Sequence, residues 1–404
     1  MKKIILVVAD GLADSPVPQL GNKTPLEAAE TPNLDLLAGS GVRGLVLPFL
    51  LKSQEYPCSD TAHLALLGYD PKLYYLGRGP YEVAGIGIKL KEGDIAFRAN
   101  FGTVDESLKV VDRRAGRMKE TGALVKMLQG ISIDGVRFVI KKSYGHRAGL
   151  VMRGKNLSPC ISDGDPHETG ASISPIVPLD KSKEARFTAK ALNSYLGKTH
   201  DILKNCSLNR LRRKQGKLEA NYLLVRGAGQ MRKTPSFKEL HKLKAVCIAG
   251  GGLYKGIGRI LGMEVIEVKG ATGLPDTDLK AKFSAAKAAL KKYDFVFCHI
   301  KPTDNFAEDG DFKAKRKFIE KIDKSIKPLL GLKNVSVAVT GDHATCCLLK
   351  RHCLEPVPVL ISGLRKTRKA GKFSESGCKN GELGKFRQIK LMSMIKKYAS
   401  KDKE

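Results

Sequence analysis

The chain has 404 residues, of which 42% are hydrophobic and 28% are charged, with 41 glycines and 18 prolines. That length exceeds the roughly 100–200 residues of a typical domain, so we expect a globular protein of two domains. The mixed composition excludes a disordered, collagen-like or coiled-coil chain. The apolar runs are shorter than the roughly 18–20 residues of a membrane span, and the first ten residues lack the long apolar region of a signal peptide. We therefore predict a cytoplasmic protein that does not insert into membranes.

The charge balance is strongly basic, because 71 Lys and Arg stand against 41 Asp and Glu, for a net charge of +30. Such a charge favours anionic partners, whether phosphorylated metabolites, RNA or other polyanions. The densest basic stretches, residues 204–217 and 365–372, lack the interleaved aromatic residues of a single-strand-binding surface. We interpret both as solvated faces and do not expect nucleic acid as a partner. The sequence leaves the oligomeric state open.

The nine cysteines show no paired spacing of the kind that indicates a disulfide framework. We therefore expect reduced thiols. Cys346, Cys347 and Cys353 lie near two histidines, but their spacing does not match that of paired zinc ligands.

The N-terminal part of the chain predicts a strand followed by a helix. Residues 4–9 form an apolar run of strand length, and Thr31-Pro32 begins a helical pattern. Residues 85–180 carry short alternating strands with glycine-rich turns, which predicts an inserted domain. The polar, lysine-rich residues 178–215 predict a surface helix or linker that leads back to the first domain.

The C-terminal part predicts further strands of the first domain. Residues 295–299, 335–340 and 357–361 are short β-rich runs, and residues 312–330 between them are helical. Together they predict an α/β fold with a mostly parallel sheet flanked by helices. We predict a discontinuous core domain of residues 1–84 and 181–404 and a smaller α+β domain inserted at residues 85–180.

Acidic residues or histidines follow three of the predicted strands. Asp10 follows the first, Asp304 follows residues 295–299, and Asp342-His343 follows residues 335–340. Ligands of open α/β sheets bind outside the carboxyl ends of the strands, so these side chains could converge. Carboxylates and imidazoles together favour a divalent metal. Asp10 taken alone could equally cap a helix.

Ser59 stands at a turn-like opening before an apolar helical run. A serine hydroxyl next to a metal ion can lose its proton and attack phosphorus. The alternative is a serine that caps the following helix.

The glycine triplet at residues 250–252, with Lys255, lacks the full phosphate-loop pattern and predicts a tight turn instead.

A series of motifs in a fixed order resembles one known family, the archaeal-type cofactor-independent phosphoglycerate mutases of the alkaline phosphatase superfamily. The resemblance runs from residue 1 to nearly the C-terminus. It rests on residues 8–11 (VADG), 31–35 (TPNLD), 57–63 (PCSDTAH), 67–71 (LGYDP), 77–80 (GRGP), 98–101 (RANF), 112–117 (DRRAGR), 146–148 (HRA), 165–167 (DPH), 226–229 (RGAG), 299–301 (HIK), 341–343 (GDH) and 356–359 (PVPV).

This resemblance implies an alkaline-phosphatase-like fold and a two-metal mechanism. It assigns one metal site to Asp10, Ser59, Asp342 and His343, and the other to Asp304, position 308 and His352. Ser59 is implied as the nucleophile that takes the phosphoryl group of 3-phosphoglycerate and returns it to give 2-phosphoglycerate. No bisphosphoglycerate is needed.

The inserted domain is expected to act as a lid that excludes water, which separates a mutase from a phosphatase. Asp165 is a candidate for catalytic proton transfer, together with His146 and His167, which could instead position the glycerate. The guanidinium group of arginine pairs with phosphate or carboxylate through two hydrogen bonds. The expected substrate-binding residues are His146, Arg147, Arg98, Arg113, Arg114, Arg117, His167 and Lys301.

One position departs from the family pattern. Where the family has Asp-x-x-x-His-Asp-Gly, this chain has Glu308 in place of the histidine. A carboxylate still binds a divalent ion and favours a harder metal, so we expect two divalent ions, Mg or Mn in the first place, with Co or Zn as the alternatives.

Two other functions remain open at this point. A metal-dependent phosphomonoesterase of the same superfamily would use the same serine and metals but release phosphate. A polyanion- or nucleic-acid-binding protein with a vestigial metal site would use the charge of +30, and its binding would depend strongly on salt.

Overall fold

The fold is that of a computed structural model, which describes residues 2–363 and 371–400. Of the basic stretch at residues 365–372, all but the last two residues lie outside the described part. Among the described residues, none of the helices has the length and apolar character required to cross a membrane.

The strands of the described residues are, in chain order, β1 (Lys3–Ala9), β2 (Gly41–Leu47), β3 (Ile95–Val104), β4 (Val110–Asp112), β5 (Ser132–Ile133), β6 (Val136–Lys142), β7 (Arg147–Arg153), β8 (Tyr222–Gln230), β9 (Ala245–Ile248), β10 (Glu264–Val265), β11 (Phe295–Ile300), β12 (Val335–Thr340), β13 (Ala344–Cys346), β14 (Arg351–Cys353), β15 (Val357–Ser362) and β16 (Gly384–Arg387).

The α-helices of the same residues are α1 (Pro32–Gly39), α2 (Ser59–Leu66), α3 (Pro71–Tyr74), α4 (Arg78–Gly85), α5 (Gly122–Met127), α6 (Lys183–Asn205), α7 (Ser207–Lys214), α8 (Phe237–His241), α9 (Gly252–Ile260), α10 (Leu279–Ala289), α11 (Pro302–Glu308), α12 (Phe312–Ser325), α13 (Glu375–Lys379) and α14 (Leu391–Ala399). Short 3-10 turns lie at Pro18–Leu20, Lys327–Leu329 and Gln388–Lys390.

The first compact unit, Met1–Tyr75 and Thr234–Glu404, is built on a mostly parallel sheet. Its strand order is β10-β9-β11-β1-β12-β15-β2-β16, and only β15 runs antiparallel to its neighbours. The central strands are buried along nearly their whole length, as apolar runs covered by helices on both faces should be. The predicted α/β fold with a mostly parallel sheet is confirmed.

The order of strands explains how distant residues meet. β1 lies between β11 and β12, with Ala9 paired to Ile300 and Val8 to Thr340. The three carboxyl ends therefore lie side by side, and the segments that follow them emerge at one edge of the sheet.

The second compact unit, Leu76–Lys233, is an antiparallel sheet packed with helices. Its strands run in the order β4-β3-β7-β6-β5, and β8 pairs with the other edge of β3. The core includes Phe138 and Tyr195, whose rings stack with centroids 3.9 Å apart. The unit has the predicted α+β composition.

The second unit extends beyond the predicted limits of residues 85–180. Its N-terminal helix α4 packs beside β3 and β8, and the 23-residue α6 packs on β8. Residues 178–215 are therefore helices within this unit rather than a linker. The sequence does not show this because β8, which pairs with β3, lies beyond the expected boundary at residue 180.

Two of the nine cysteines, all expected to be reduced, are joined by a disulfide in the structure. Cys346 and Cys353 form a disulfide across the hairpin of β13 and β14. The expectation of reduced thiols is wrong for this pair, because the antiparallel register brings their Cα atoms within 6.0 Å.

Candidate active site

The first cluster of the site gathers four of the predicted metal ligands in the first unit. His343 Nε2 lies 3.6 Å from Asp10 Oδ1 and 3.2 Å from Asp342 Oδ2. The same nitrogen lies 3.2 Å from Ser59 Oγ. All four residues are at least 94% buried, since Ser59, the most exposed of them, is 6% exposed. The structure thus brings together the whole predicted set of this site.

The donor atoms of this cluster fit a divalent ion. Asp10 Oδ1 and Asp342 Oδ2 are buried, and neither makes a hydrogen bond to any described residue. A buried carboxylate oxygen without a donor is costly unless a cation balances it. Two bare carboxylate oxygens, an imidazole nitrogen and a hydroxyl are ligands that divalent metals accept.

A second cluster lies beside the first and contains Asp304 and His352. His352 Nδ1 lies 2.6 Å from the carbonyl of Pro57, which turns Nε2 toward Asp304 Oδ1 at 3.4 Å. The carboxylate of Glu308 lies 3.9 Å from the same Nε2. His343 is close enough to share a metal with Asp304 and His352, so the two clusters are contiguous.

The charged groups of the two clusters shift one another's proton affinities. Burial raises the pKa of Asp342, and the neighbouring Asp10 adds to this rise. Burial acts in the same direction on Asp10, but Lys301 and His299 outweigh it and hold the pKa of Asp10 well below its ordinary value. Burial lowers the pKa of His343 to about 4, so its imidazole is neutral and able to bind a metal.

Lys301 lies among carboxylates rather than at a separate substrate subsite. Its ammonium forms an ion pair with Asp304 Oδ2 and lies 3.4 Å from Asp10 Oδ2. Burial disfavours its charge, but the two carboxylates outweigh this and raise its pKa. Its predicted role in binding substrate is not tested by these contacts, which show a cation that balances the anionic cluster.

The position of Ser59 follows from the start of α2. The helix begins at Ser59, and the preceding Cys58 has the extended backbone of an N-cap residue. Ser59 is therefore the first helical residue, and its hydroxyl faces His343 instead of capping a backbone N–H. The capping alternative for Ser59 is not realised.

Gly11 explains the close approach of the two clusters. Its φ of +60° favours glycine, and a Cβ there would meet Thr345 Oγ1 at 2.4 Å and the Asp304 backbone at 2.9 Å. Thr345 Oγ1 in turn donates a 2.6 Å hydrogen bond to Asp304 Oδ1. The Asp10-Gly11 pair thus lets the chain turn directly against the second cluster.

Three aromatic or imidazole residues of the site have no role in the sequence-based assignment. His63 Nδ1 lies 2.6 Å from the carbonyl of Ser59 and 3.4 Å from Asp342 Oδ2. Tyr254 and His299 both hydrogen-bond to Asp10. The motifs at residues 57–63 and 299–301 contain the two histidines, whereas the sequence gives no signal for Tyr254.

A third cluster lies in the second unit and centres on Asp165. Arg113 makes a bidentate pair with this carboxylate at 3.0 and 2.8 Å. Arg226 Nε lies 3.8 Å from Asp165 Oδ2, and its Nη1 lies 3.0 Å from His167 Nδ1. Burial would raise the pKa of Asp165, but Arg113 outweighs it and lowers that pKa. The sequence-based assignment missed Arg226, although the motif at residues 226–229 contains it.

His146 lies in the positive field of three further arginines that were predicted to bind substrate. Burial lowers its pKa to about 4, and Arg147, Arg114 and Arg98 contribute. The side chain of Arg98 is only 16% exposed, with its Nη1 3.8 Å from Glu82 and its Nε without a hydrogen bond to any described residue. Arg117, by contrast, is exposed in a left-handed turn at φ 57° and does not join the Asp165 network.

Comparison with known proteins identifies relatives along the whole chain. The model of the metalloenzyme superfamily matches residues 2–398. A 2,3-bisphosphoglycerate-independent phosphoglycerate mutase of Methanococcus aeolicus is 46% identical over 366 residues, which cover 90% of this chain and 89% of the relative. One from Archaeoglobus fulgidus is 44% identical over 400 residues and covers 97% and 96% of the two chains.

A solved structure gives the same result. The cofactor-independent phosphoglycerate mutase of Thermoplasma acidophilum superimposes with a TM-score of 0.74 at 35% identity, covering 99% of this chain and 100% of the other. The chain therefore belongs to the metalloenzyme superfamily and, within it, to the family of 2,3-bisphosphoglycerate-independent phosphoglycerate mutases.

Proposed function

We propose that this chain interconverts 3-phosphoglycerate and 2-phosphoglycerate without bisphosphoglycerate, through a phosphoserine at Ser59. The observation that carries the proposal is the convergence of Ser59 Oγ, His343 Nε2 and two buried carboxylate oxygens that lack hydrogen-bond donors. Membership of the mutase family supports the same reaction.

Asp10, Ser59, Asp342 and His343 would hold one divalent ion, and Asp304, Glu308 and His352 would hold a second. When bound, such ions neutralise charge on phosphoryl oxygens and lower the pKa of a serine hydroxyl. Glu308 makes the second set one imidazole and two carboxylates, which favours Mg or Mn over Co or Zn. The Glu308 side chain is 53% exposed, and partial desolvation together with the neighbouring Asp304 raises its pKa.

Ser59 Oγ would form a bond to phosphorus as the bond between phosphorus and the 3-oxygen of glycerate breaks. The 3-oxygen then takes a proton, and the 2-hydroxyl loses one when it attacks the phosphoserine and releases Ser59. A group that alternates between acid and base is needed for these transfers. His146 is neutral near pH 7, because burial and the neighbouring arginines lower its pKa to about 4. A pKa this far below the working pH makes it a weak base, so positioning of the glycerate suits His146 better than proton transfer.

The arginines of the second unit would recognise the anionic substrate. A guanidinium fork pairs with phosphate or carboxylate through two hydrogen bonds, as Arg113 does with Asp165. Asp165 is held as an anion by Arg113, and it orients that side chain. Its role in proton transfer stays a prediction, as does the role of the second unit as a lid.

The test is turnover of 3-phosphoglycerate by metal-stripped protein to which Mg, Mn, Co or Zn is added. Bisphosphoglycerate is left out, and 2-phosphoglycerate and free phosphate are measured together. We expect 2-phosphoglycerate without phosphate, with the highest rates in Mg or Mn. Loss of a nucleophile lowers kcat by roughly 10⁴-fold or more, so we expect that loss in Ser59→Ala.

Ser207→Ala is a matched control, because Ser207 also begins an eight-residue helix after a cysteine. It is exposed and should keep full activity. Free phosphate in place of 2-phosphoglycerate would reassign the chain as a phosphomonoesterase. An active Ser59→Ala protein would rule out the phosphoserine.

A further inference from the structure

Two buried side chains hold the same oxygen of Asp10. The phenol of Tyr254 donates a hydrogen bond to Asp10 Oδ2, and His299 Nε2 lies 3.1 Å from that oxygen. Lys301 Nζ lies 3.4 Å from it. The rings of Tyr254 and His299 stack with centroids 3.4 Å apart and an interplanar angle of 19°. Both residues are almost fully buried, at 3% and 0% exposure.

The two oxygens of the Asp10 carboxylate therefore have different surroundings. Oδ2 is saturated by donors, whereas Oδ1 has no hydrogen bond to any described residue and lies 3.6 Å from His343 Nε2. A carboxylate that was free to rotate could exchange the two. We propose that Tyr254 and His299 form a positioning pair that fixes one oxygen of Asp10 and presents the other to a metal ion.

Gly251, the middle glycine of the triplet at residues 250–252, makes room for this pair. A Cβ on Gly251 would lie 2.9 Å from two ring carbons of Tyr254, closer than side chains approach one another. Gly251 has φ −79° and ψ 141°, so its backbone does not require glycine. The need for glycine is therefore steric: only hydrogen at this position lets the ring reach Asp10. Gly251 therefore helps to position Tyr254 against Asp10.

The backbone of His299 is anchored as well. The ammonium of Lys282, which is fully buried, donates a 3.0 Å hydrogen bond to the carbonyl of His299. His299 also lies on β11, next to β1, and Val8 is its register partner. The imidazole therefore approaches Asp10 from a fixed strand. Partners that hold a metal-binding carboxylate typically contribute 10- to 100-fold to metal affinity.

This inference rests on the proposed metal centre, so the experiment measures metal binding rather than turnover. Metal-stripped full-length protein is titrated with Mn²⁺ by calorimetry, and the bound ion is examined by electron paramagnetic resonance. Tyr254→Phe removes only the hydroxyl, and we expect one of the two binding events to weaken by about 10- to 100-fold. Gly251→Ala displaces the ring and should shift the same event in the same direction.

Gly252→Ala is the matched control, because a Cβ there meets nothing within 4 Å. It should bind Mn²⁺ as the unaltered protein does. His299→Gln keeps an N–H donor and should retain more affinity than His299→Leu. Thermal unfolding of the metal-free variants shows whether each is folded, and Gly251→Ala provides the test if Tyr254→Phe does not fold.

The outcomes distinguish a failure of the proposed metal centre from a failure of the positioning pair. If the unaltered protein binds no Mn²⁺, the proposed metal centre fails. If it binds Mn²⁺ and both Tyr254→Phe and Gly251→Ala bind it equally well with unchanged spectra, the positioning pair is refuted.

Discussion

The buried cluster around Asp10 and the arginine cluster around Asp165 handle charge in opposite ways. In the first unit, buried carboxylates lie against neutral imidazoles, and two of their oxygens lack donors among the described residues. In the second unit, the carboxylate of Asp165 is satisfied by Arg113 at 2.8 and 3.0 Å, while neighbouring arginines stay in excess. One cluster needs a cation, and the other can receive an anion.

The two clusters therefore depend on electrostatics to different degrees. The residues around Asp10 are buried, so their electrostatic interactions are strong and a missing cation is costly. The arginines around Asp165 are partly exposed, so each ion pair contributes less free energy. Their guanidinium groups instead provide the geometry that recognises an anion. Changes in the cluster around Asp10 should therefore have larger effects than changes in the cluster around Asp165.

Removal of metal should produce the largest effect on stability. A ligand at 100 to 1,000 times its Kd stabilises a folded protein by about 3 to 4 kcal/mol. We expect chelation to lower the unfolding temperature and to speed hydrogen exchange in β1, β11 and β12, while β3 and β7 change little. Mass-spectrometric exchange with and without Mn²⁺ measures this. Equal changes in both units would contradict the comparison.

Arg113→Lys should give the next largest effect, because it keeps the charge but loses the bidentate fork to Asp165. Charge-assisted hydrogen bonds contribute about 1.5–3 kcal/mol, so we expect kcat/KM for 3-phosphoglycerate to fall by about 10- to 100-fold. Arg117→Lys is the control, since Arg117 is exposed outside the network. Unchanged kcat/KM in Arg113→Lys would show that charge alone matters at this position, and an equal loss in Arg117→Lys would show that the loss does not come from the fork to Asp165.

Glu308→His should change which metal is preferred with a smaller effect on the total affinity. The substitution gives the second cluster another imidazole, which favours Co and Zn over Mg. We expect the ratio of Co to Mg affinity to rise by about tenfold, which corresponds to about 1.4 kcal/mol. Calorimetry and the visible spectrum of bound Co²⁺ provide the measurement. Glu355→His, at an exposed position, should leave the ratio unchanged.

The pH dependence of the free energy of unfolding should be the smallest of these effects. Burial lowers the pKa of His146 to about 4, and burial also lowers the pKa of His241. The unfolded chain takes up protons on these groups below about pH 6.5, whereas the folded protein does not. Stability should therefore fall as the pH drops from 6.5 toward 4.

His146 is partly exposed, so after solvent screening its share of this loss should be no more than about 1 kcal/mol. Urea unfolding between pH 4 and 7 measures the dependence. His146→Gln should flatten it slightly, and a steeper dependence in that variant would contradict the assignment.

Much of the first and second clusters was predictable because their signal is local. Asp10, Asp304 and Asp342-His343 each follow an apolar strand, and parallel strands place their carboxyl ends at one edge. The resemblance added Ser59 and His352. The fold class was predictable for the same reason, since buried parallel strands are continuous apolar runs. The roles of these residues remain predictions until the variants are measured.

The parts that could not be predicted depend on pairings between distant segments. Tyr254 reaches Asp10 across 244 residues, and Cys346 meets Cys353 only because β13 and β14 pair in one register. The limits of the second unit depend on β8, which joins β3 from beyond the expected boundary.

The sequence by itself determined which side chains could carry the chemistry, because residue type and position at a strand end are local properties. Only the tertiary structure decided which oxygen of Asp10 accepts hydrogen bonds and which has no donor among the described residues. That choice depends on Tyr254, His299 and Lys301, which the order of strands brings to one carboxylate.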